Sequence, residues 1–567
     1  MRRSTAWRTL ISISLTLSLT ANVTSLSGHA ATSPPLPSAH SAHDTLSLAE
    51  VQRLSKNADQ RVIVILRDPY RGLPNKGMTR AARAAAIATS QSPIVGELAQ
   101  LHAPGVQAYR LINAVAATVS TAEAQRLKAN SLVQAVVPDR LIRAPHHARE
   151  GASPPTAPAP DSVLPPCTLS ATLEPEALQL TNTAFADSTT PQAQSIVSGT
   201  GVTVAFLADG LDITNPDFIR PDGTPVFVDY QDFTGDGPNA PTSGDEAFGD
   251  ASSIAAQGNE TYDVNAWVTP AHRRSVACPQ IKILGMAPGA SLMGLKVIGQ
   301  AGVGYASQIV QAIQYAVSHG ANVINESFGA NAYPDNANDP ISLANAAATA
   351  AGITVVASTG DAGTASTIGS PATDPNVISV GATTQFRFYQ QLGLSGFQLS
   401  NGQYTSNNIS ALSSAGPSQL GNQTVDVVAP GDQSWEVCTP NTDLYAACSD
   451  ANGKPARFTS FGGTSEAAPL TAGAAALVIQ AYRQTHGGAS PSPALVKQII
   501  MNSATDLNTP SYEQGAGLIN SLAAVRLAAS YHDANGGPAA VAGAGLLVSP
   551  NVLAATAAPN TPQTFSV

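Results

Sequence analysis

The sequence predicts an α/β fold in which a central, mainly parallel sheet lies between helical layers, with a small α+β unit ahead of it. Three observations carry this. Between about residues 202 and 529, the strand-like runs "VTVAFLAD", "SLMGLKVI", "NVINESFG", "ITVVAS", "VISVGAT" and "VDVVAP" are nearly continuous in apolar residues. Strands buried on both faces read that way, whereas half-exposed strands alternate. These runs are separated by helical patterns such as "SQIVQAIQYAVSHG" and "ISLANAAATAAG", as parallel pairing requires. Residues 58–143 carry a separate β-α-β-α-β pattern.

Taken in chain order, Met1 to Ala31 has basic residues Arg2, Arg3 and Arg8, then the apolar run "LISISLTLSL", then small residues at "SGHAAT". That is the plan of a secretory signal peptide, and its apolar run is too short for a membrane span. Within residues 58–143, "RVIVILRD", "YRLINAVAATVS" and "VQAVVPDRLIR" read as strands, and "SPIVGELAQLH" and "TAEAQRLKAN" as helices. Residues 144–180 open with "APHHAREGASPPTAPAPDSVLPP", a Pro/Ala-rich linker open to proteolytic processing. Residues 181–529 form the α/β domain. Residues 530–567 read as a tail, with "QTFSV" as the start of a truncated β module.

With 43% hydrophobic and 12% charged residues and a formal net charge of −10, the chain has material for a large core. Nucleic acid and anionic membrane surfaces are poor partners for it. After export no membrane partner is expected, and the protein is expected to be an extracellular monomer. Four cysteines in an exported chain suggest two disulfides. Cys438 with Cys448 closes a short loop and leaves Cys167 with Cys278, although the count alone permits three connectivities. No C-x-x-C pair favours a metal.

"SFGGTSEAAPLTAGAAALVIQAY" places Ser465 after paired glycines and at the start of a long apolar helix. A hydroxyl there sits at the positive end of the helix dipole. "GTSEAAP" resembles the G-T-S-x-A-x-P nucleophile motif of subtilisin-like serine peptidases. "VTVAFLADGLDITNPDF", "GMAPGASLMGLKVI", "GANVINESFG", "SPATDPNVISVGAT", "VDVVAPG" and "QGAGLINSLAAV" match that family in order. The resemblance implies the subtilisin-like three-layer fold, with residues 58–143 as an inhibitory propeptide domain. It also implies protein or peptide substrates, and an extended substrate paired with the backbone of Ser327, Phe328 and Gly329 as an added strand.

Two positions depart from the family. Its catalytic Asp falls on Ala208, with Asp209 displaced by one; in a strand such a shift reverses the face, and Asp209 before Gly210 reads as a turn residue. Its H-G-T-H motif falls near "DASS", with no histidine. His272 is a weak substitute and His319 reads as structural. However, Glu246 and Asp250 in "EAFGD" are four apart, on one helix face. They resemble the E-x-x-x-D dyad of the sedolisins, serine-carboxyl peptidases that share the subtilisin fold. In "VVASTGDAG", Asp361 replaces the family's oxyanion-hole Asn, again as in sedolisins.

The resemblance therefore implies a secreted endopeptidase zymogen with Ser465 as nucleophile, Glu246 as general base, Asp250 as its partner and Asp361 as oxyanion donor. Acid-side activity is expected, because two adjacent carboxyls share a proton. Gly249 stands where sedolisins carry Leu before the dyad Asp. The stretch from Asp506 to Gly515 lacks the final Asp of the sedolisin calcium site, so no metal and no cofactor is assigned. Two alternatives stand beside this reading: a catalytically inactive binding protein of the same fold, and a neutral-pH hydrolase using Asp209.

Overall fold

A computed structural model describes residues 46–68, 77–143, 171–268, 278–329, 339–392, 405–419 and 425–531. Residues 1–31, expected as a signal peptide, most of the expected linker, His272 and the residues beyond 531 lie outside them.

The first described segment opens with α1 (Leu48–Leu54), started by a capping box between Ser47 and Glu50. It continues through β1 (Gln60–Leu66), α2 (Gly77–Gln100), β2 (Gln107–Ala108), β3 (Ala114–Val119), α3 (Thr121–Ala129), β4 (Val133–Pro138) and β5 (Leu141–Arg143). The sheet order is β2-β3-β1-β4, and every pairing is antiparallel. Both faces of β1 are buried. Val62 and Val64 pack with Ile94, Leu98 and Leu127 of the unit's own helices, while Ile63 and Ile65 join an apolar cluster with Ile309 and Ile313 of the larger domain. The continuous run "RVIVIL" has this physical cause.

The expected last strand "VQAVVPDRLIR" is split. β4 stays in the sheet, whereas β5 pairs with a strand of the larger domain more than 150 residues away in sequence.

The larger domain contains β6 (Thr172–Glu174), α4 (Ala177–Leu180), β7 (Thr203–Ala208), β8 (Phe227–Asp232), α5 (Glu246–Ala255), β9 (Tyr262–Asp263), α6 (Val264–Trp267), β10 (Gln280–Ile283), β11 (Ser291–Lys296) and β12 (Val303–Tyr305). It continues with α7 (Ala306–Ser318), β13 (Val323–Glu326), α8 (Pro340–Ala350), β14 (Thr354–Ser358), β15 (Ile378–Thr383), α9 (Arg387–Leu392), β16 (Val427–Pro430), β17 (Gln433–Val437) and β18 (Phe458–Gly462). Four helices close it: α10 (Thr464–Thr485), α11 (Pro493–Asn502), α12 (Ser511–Gln514) and α13 (Ser521–Ser530).

Seven strands form one parallel sheet in the order β16-β15-β14-β13-β7-β11-β8. Successive residues of β7 alternate between two cores. Val204, Phe206 and Ala208 face the side of α5 and α10, and Ala205 and Leu207 face the side of α7 and α8. The fold is therefore the three-layer α/β arrangement expected from the continuous Val/Ile runs.

Residues 171–180, expected in the linker, belong to this packed domain: β6 pairs with β10, and Ala177 and Leu178 are fully buried. Cys438 and Cys448 form a disulfide. Cys278 is also disulfide-bonded, and Cys167 lies outside the described residues. Among the described residues, no helix is long and apolar enough to cross a membrane.

Candidate active site

Ser465 is the second residue of α10 and is 2% exposed. Gly463 before the helix has φ 91°, a conformation that favours glycine. The Ser465 hydroxyl donates to the carbonyl of Ser327 at 3.1 Å, and the Ser327 hydroxyl lies 3.1 Å from the Ser465 carbonyl. Pro469 explains why that carbonyl can accept. Four residues into the helix a main-chain N–H would normally bond to Ser465 O, and proline has none. The nucleophile segment and the end of β13 are thus joined reciprocally.

The same Ser327 hydroxyl lies 2.6 Å from Asp250 Oδ1, which also accepts from Asn325 Nδ2 at 3.0 Å. Asn325 and Ser327 are two residues apart in extended chain and therefore point the same way, and they are themselves joined at 2.8 Å. Asp250 is completely buried, and burial first, then the charge of Glu246, raise its pKa well above the ordinary aspartate range. Its Oδ2 finds no hydrogen-bond partner among the described residues. A neutral, protonated carboxyl tolerates that position far better than a carboxylate.

Glu246 and Asp250 both lie on α5, one turn apart, and Glu246 is 5% exposed. The start of α5 is capped from outside. Asp209 Oδ1 accepts the Ala247 N–H at 2.9 Å, and Asp209 Oδ2 accepts the Thr242 hydroxyl at 2.7 Å. Asp209, expected as a turn residue, lies in a bend and is buried, at 2% exposed. It lies just past the end of β7, so strand alternation does not fix its direction, and its side chain reaches the helix that carries Glu246. Burial pushes its pKa up to about 6, against the two hydrogen bonds it accepts. Gly249 also has a physical cause: a Cβ there would lie 2.4 Å from the Phe461 ring, which occupies the space.

Asp361 Oδ1 accepts both the main-chain N–H of Thr464, at 2.8 Å, and its hydroxyl, at 2.9 Å. Its Oδ2 lies so near Gly463 that a Cβ there would approach it to 2.6 Å. Asp361 is therefore fixed against the residues that lead into Ser465.

The subtilase family matches residues 199–517, more than half of the chain. The chain belongs to the subtilase family. Alkaline elastase YaB from Bacillus sp. (strain YaB) is 32% identical over 338 residues, covering 59% of this chain and 68% of its own length. Subtilisin Savinase from Lederbergia lenta is 30% identical over 331 residues, covering 58% of this chain and 93% of its own. Among solved structures, fervidolysin from Fervidobacterium pennivorans shares the fold at a TM-score of 0.52 and 19% identity, over 82% of this chain; the chain spans 61% of that structure. The family is one of serine-type endopeptidases.

In this subtilase no described histidine is at the nucleophile. His319 stacks on Tyr315 at the end of α7, and His486 bonds the carbonyls of Tyr482 and Tyr531. Ser327, Phe328 and Gly329 follow β13. The Phe328 side chain is buried in the core, which leaves its backbone for any strand addition, and Gly329 packs against the Ser370 carbonyl. The sequence did not single out Asn325, Thr242, Thr464 or β12. Of these only Asn325 left a signal, as a polar residue inside an apolar strand run. It also missed Glu436 on β17, 1% exposed, whose pKa is raised well above normal by burial and then by the charges of Asp245, Glu246 and Asp209. Among the described residues no group of three or more His, Cys, Asp or Glu fits a metal ion.

Proposed function

We propose that this subtilase is a secreted serine endopeptidase made as a zymogen and working on the acid side, with carboxyl groups in place of histidine. The observation that carries the proposal is the link from the Ser465 loop through Ser327 to Asp250, on the helix that presents Glu246. In the proposed cycle Glu246 takes the Ser465 proton as the oxygen attacks the scissile carbonyl. Asp250, protonated by virtue of its burial, keeps the pair at a single negative charge. The developing oxyanion is met by the N-terminal N–H groups of α10 and by Asp361. Glu246 then passes its proton to the departing amine, and water releases the acyl group by the reverse path.

The zymogen part rests on the way residues 46–143 dock. Asp139 accepts the N–H and hydroxyl of Ser307 at the start of α7, and Tyr109 donates to the Ser307 carbonyl. β5 pairs antiparallel with β12. A leader held on a strand edge of its own protease would block extended substrates. Secretion rests on the sequence of residues 1–31.

The test is cleavage of a denatured protein from pH 2 to 9 by the purified chain. Ser465→Ala should abolish cleavage and self-processing. Glu246→Gln should lower kcat by about 10²- to 10⁴-fold, the usual contribution of a general base. Activity peaking near pH 8 and indifferent to Glu246→Gln would sink the carboxyl mechanism. Absence of any Ser465-dependent cleavage would favour the inactive binding protein.

A further inference from the structure

We propose that Asp339 is a substrate-recognition residue: it selects a guanidinium side chain two residues before an apolar residue of the bound peptide, with the leader segment Arg140 to Arg143 as its resident occupant. The proposal rests on the endopeptidase reading and specifies which peptides that site prefers.

The register of the leader is fixed by its pairing. Leu141, Ile142 and Arg143 oppose Tyr305, Gly304 and Val303 across the β5/β12 ladder. The contact extends one step further, because the Arg140 carbonyl accepts the Ala306 N–H at 2.9 Å. Within this register Ile142 is 5% exposed and belongs to the apolar cluster containing Ile298, Ile309 and Phe328. Two residues earlier, Arg140 Nη2 lies 2.8 Å from Asp339 Oδ1, with side chains only 17% and 4% exposed. Main-chain pairing reads no sequence, so selectivity falls to these two side chains.

Asp339 also has partners within its own domain. Its Oδ2 accepts from the hydroxyls of Ser342 and Ser370. Oδ1 is thereby turned toward the leader. Ser370 also ties this carboxylate to the proposed substrate strand, because its carbonyl packs against Gly329. A carboxylate held by two hydroxyls and desolvated on binding rejects a neutral amide more strongly than an exposed one does. An ion pair serving stability alone would not need to cross from a processed leader to the protease domain.

Two measurements test this. In the full chain carrying Ser465→Ala, which cannot process itself, hydrogen exchange at the amides of Leu141 to Arg143 reports how firmly the leader is held. Asp339→Asn, which keeps shape and hydroxyl partners, should speed that exchange about tenfold. Arg140→Gln should do the same, and the two together should do no more than either alone. Unchanged protection in both variants, or effects that add, would overturn the pairing.

The self-processed protein is then given peptides of residues 137–150 with Arg140 or with Gln in its place. The Arg peptide should have at least a tenfold higher kcat/KM. Asp339→Asn should erase that ratio. Equal rates on both peptides in the parent enzyme would refute the selectivity. If neither peptide is cut while exchange responds as described, the endopeptidase reading fails and the Asp339–Arg140 recognition stands.

Discussion

Ser465 was legible in the sequence because its neighbours are constrained for separate physical reasons: a positive-φ glycine before it and a proline that releases its carbonyl. Asp361 is a different case, since its meaning depends on atoms only the fold brings near. Its Oδ1 accepts twice from Thr464, and in the proposed cycle Oδ2 is the atom that meets the oxyanion. Asp361→Asn keeps an acceptor for Thr464 and presents an amide donor in place of Oδ2. It should therefore retain activity within about tenfold of the parent, whereas Asp361→Ala should lose about 10²- to 10³-fold in kcat, the cost of one oxyanion donor. Steady-state kinetics on one peptide decides this; equal losses in both variants would remove Asp361 from the oxyanion site. Asp250 lies between these cases. Its spacing from Glu246 was readable, while its bonds to Ser327 and Asn325 were not, because they join a helix to a strand more than 70 residues away.

Helix α5 shows the limit at the scale of an element. Its residues read as a helix, yet it has no side-chain cap of its own, and its first turn is anchored by Asp209 from the end of β7. No local pattern announces a cap supplied from another strand. Asp209 is accordingly expected to act through position. Asp209→Asn keeps an acceptor for Ala247 and should leave kcat within a few-fold, while Asp209→Ala should cost about 1 to 2 kcal/mol of stability, read from urea unfolding, and should lower activity through Glu246. A loss of 10³-fold or more in Asp209→Asn with unchanged stability would instead support the hydrolase that uses Asp209 directly. The parallel strands were legible for the opposite reason, since burial on both faces writes itself into composition. β5 was not, because a three-residue strand carries no period and its partner β12 lies in another domain.

At the scale of the whole molecule the decisive feature is a set of buried carboxyls held above their ordinary range, and even Glu174, with Arg387 3.7 Å away, is among them. Burial raises Glu174 to about 7 and both Glu326 and Glu466 to about 8, and it holds Asp250 and Glu436 well above their ordinary values. A folded-state pKa above the unfolded value means that the folded chain binds the proton more tightly. The resulting stability is fully present below about pH 4 and is lost as pH rises through the folded pKa values. For Glu326 and Glu466 the loss between pH 5 and 8 is on the order of 4 kcal/mol each at about 1.4 kcal/mol per pH unit. Surface carboxyls oppose this only at lower pH. Hydrogen bonds hold Asp187, Asp222 and Asp506 below their ordinary range, so their contribution disappears as pH falls below about 4. Stability should therefore peak near pH 4 to 5 and decline toward pH 8, the reverse of a protein held by paired carboxylates. Calorimetry of the Ser465→Ala chain, which removes self-digestion from the measurement, should give a Tm at pH 4.5 well above that at pH 8. Glu466→Gln should flatten that slope by removing one of the titrating groups while keeping its shape beside Ser434 and Gln385. A Tm that rises steadily from pH 4.5 to 8 would mean that these carboxyls are ionised in the folded protein, and the protonated Asp250 of the proposed cycle would fall with them.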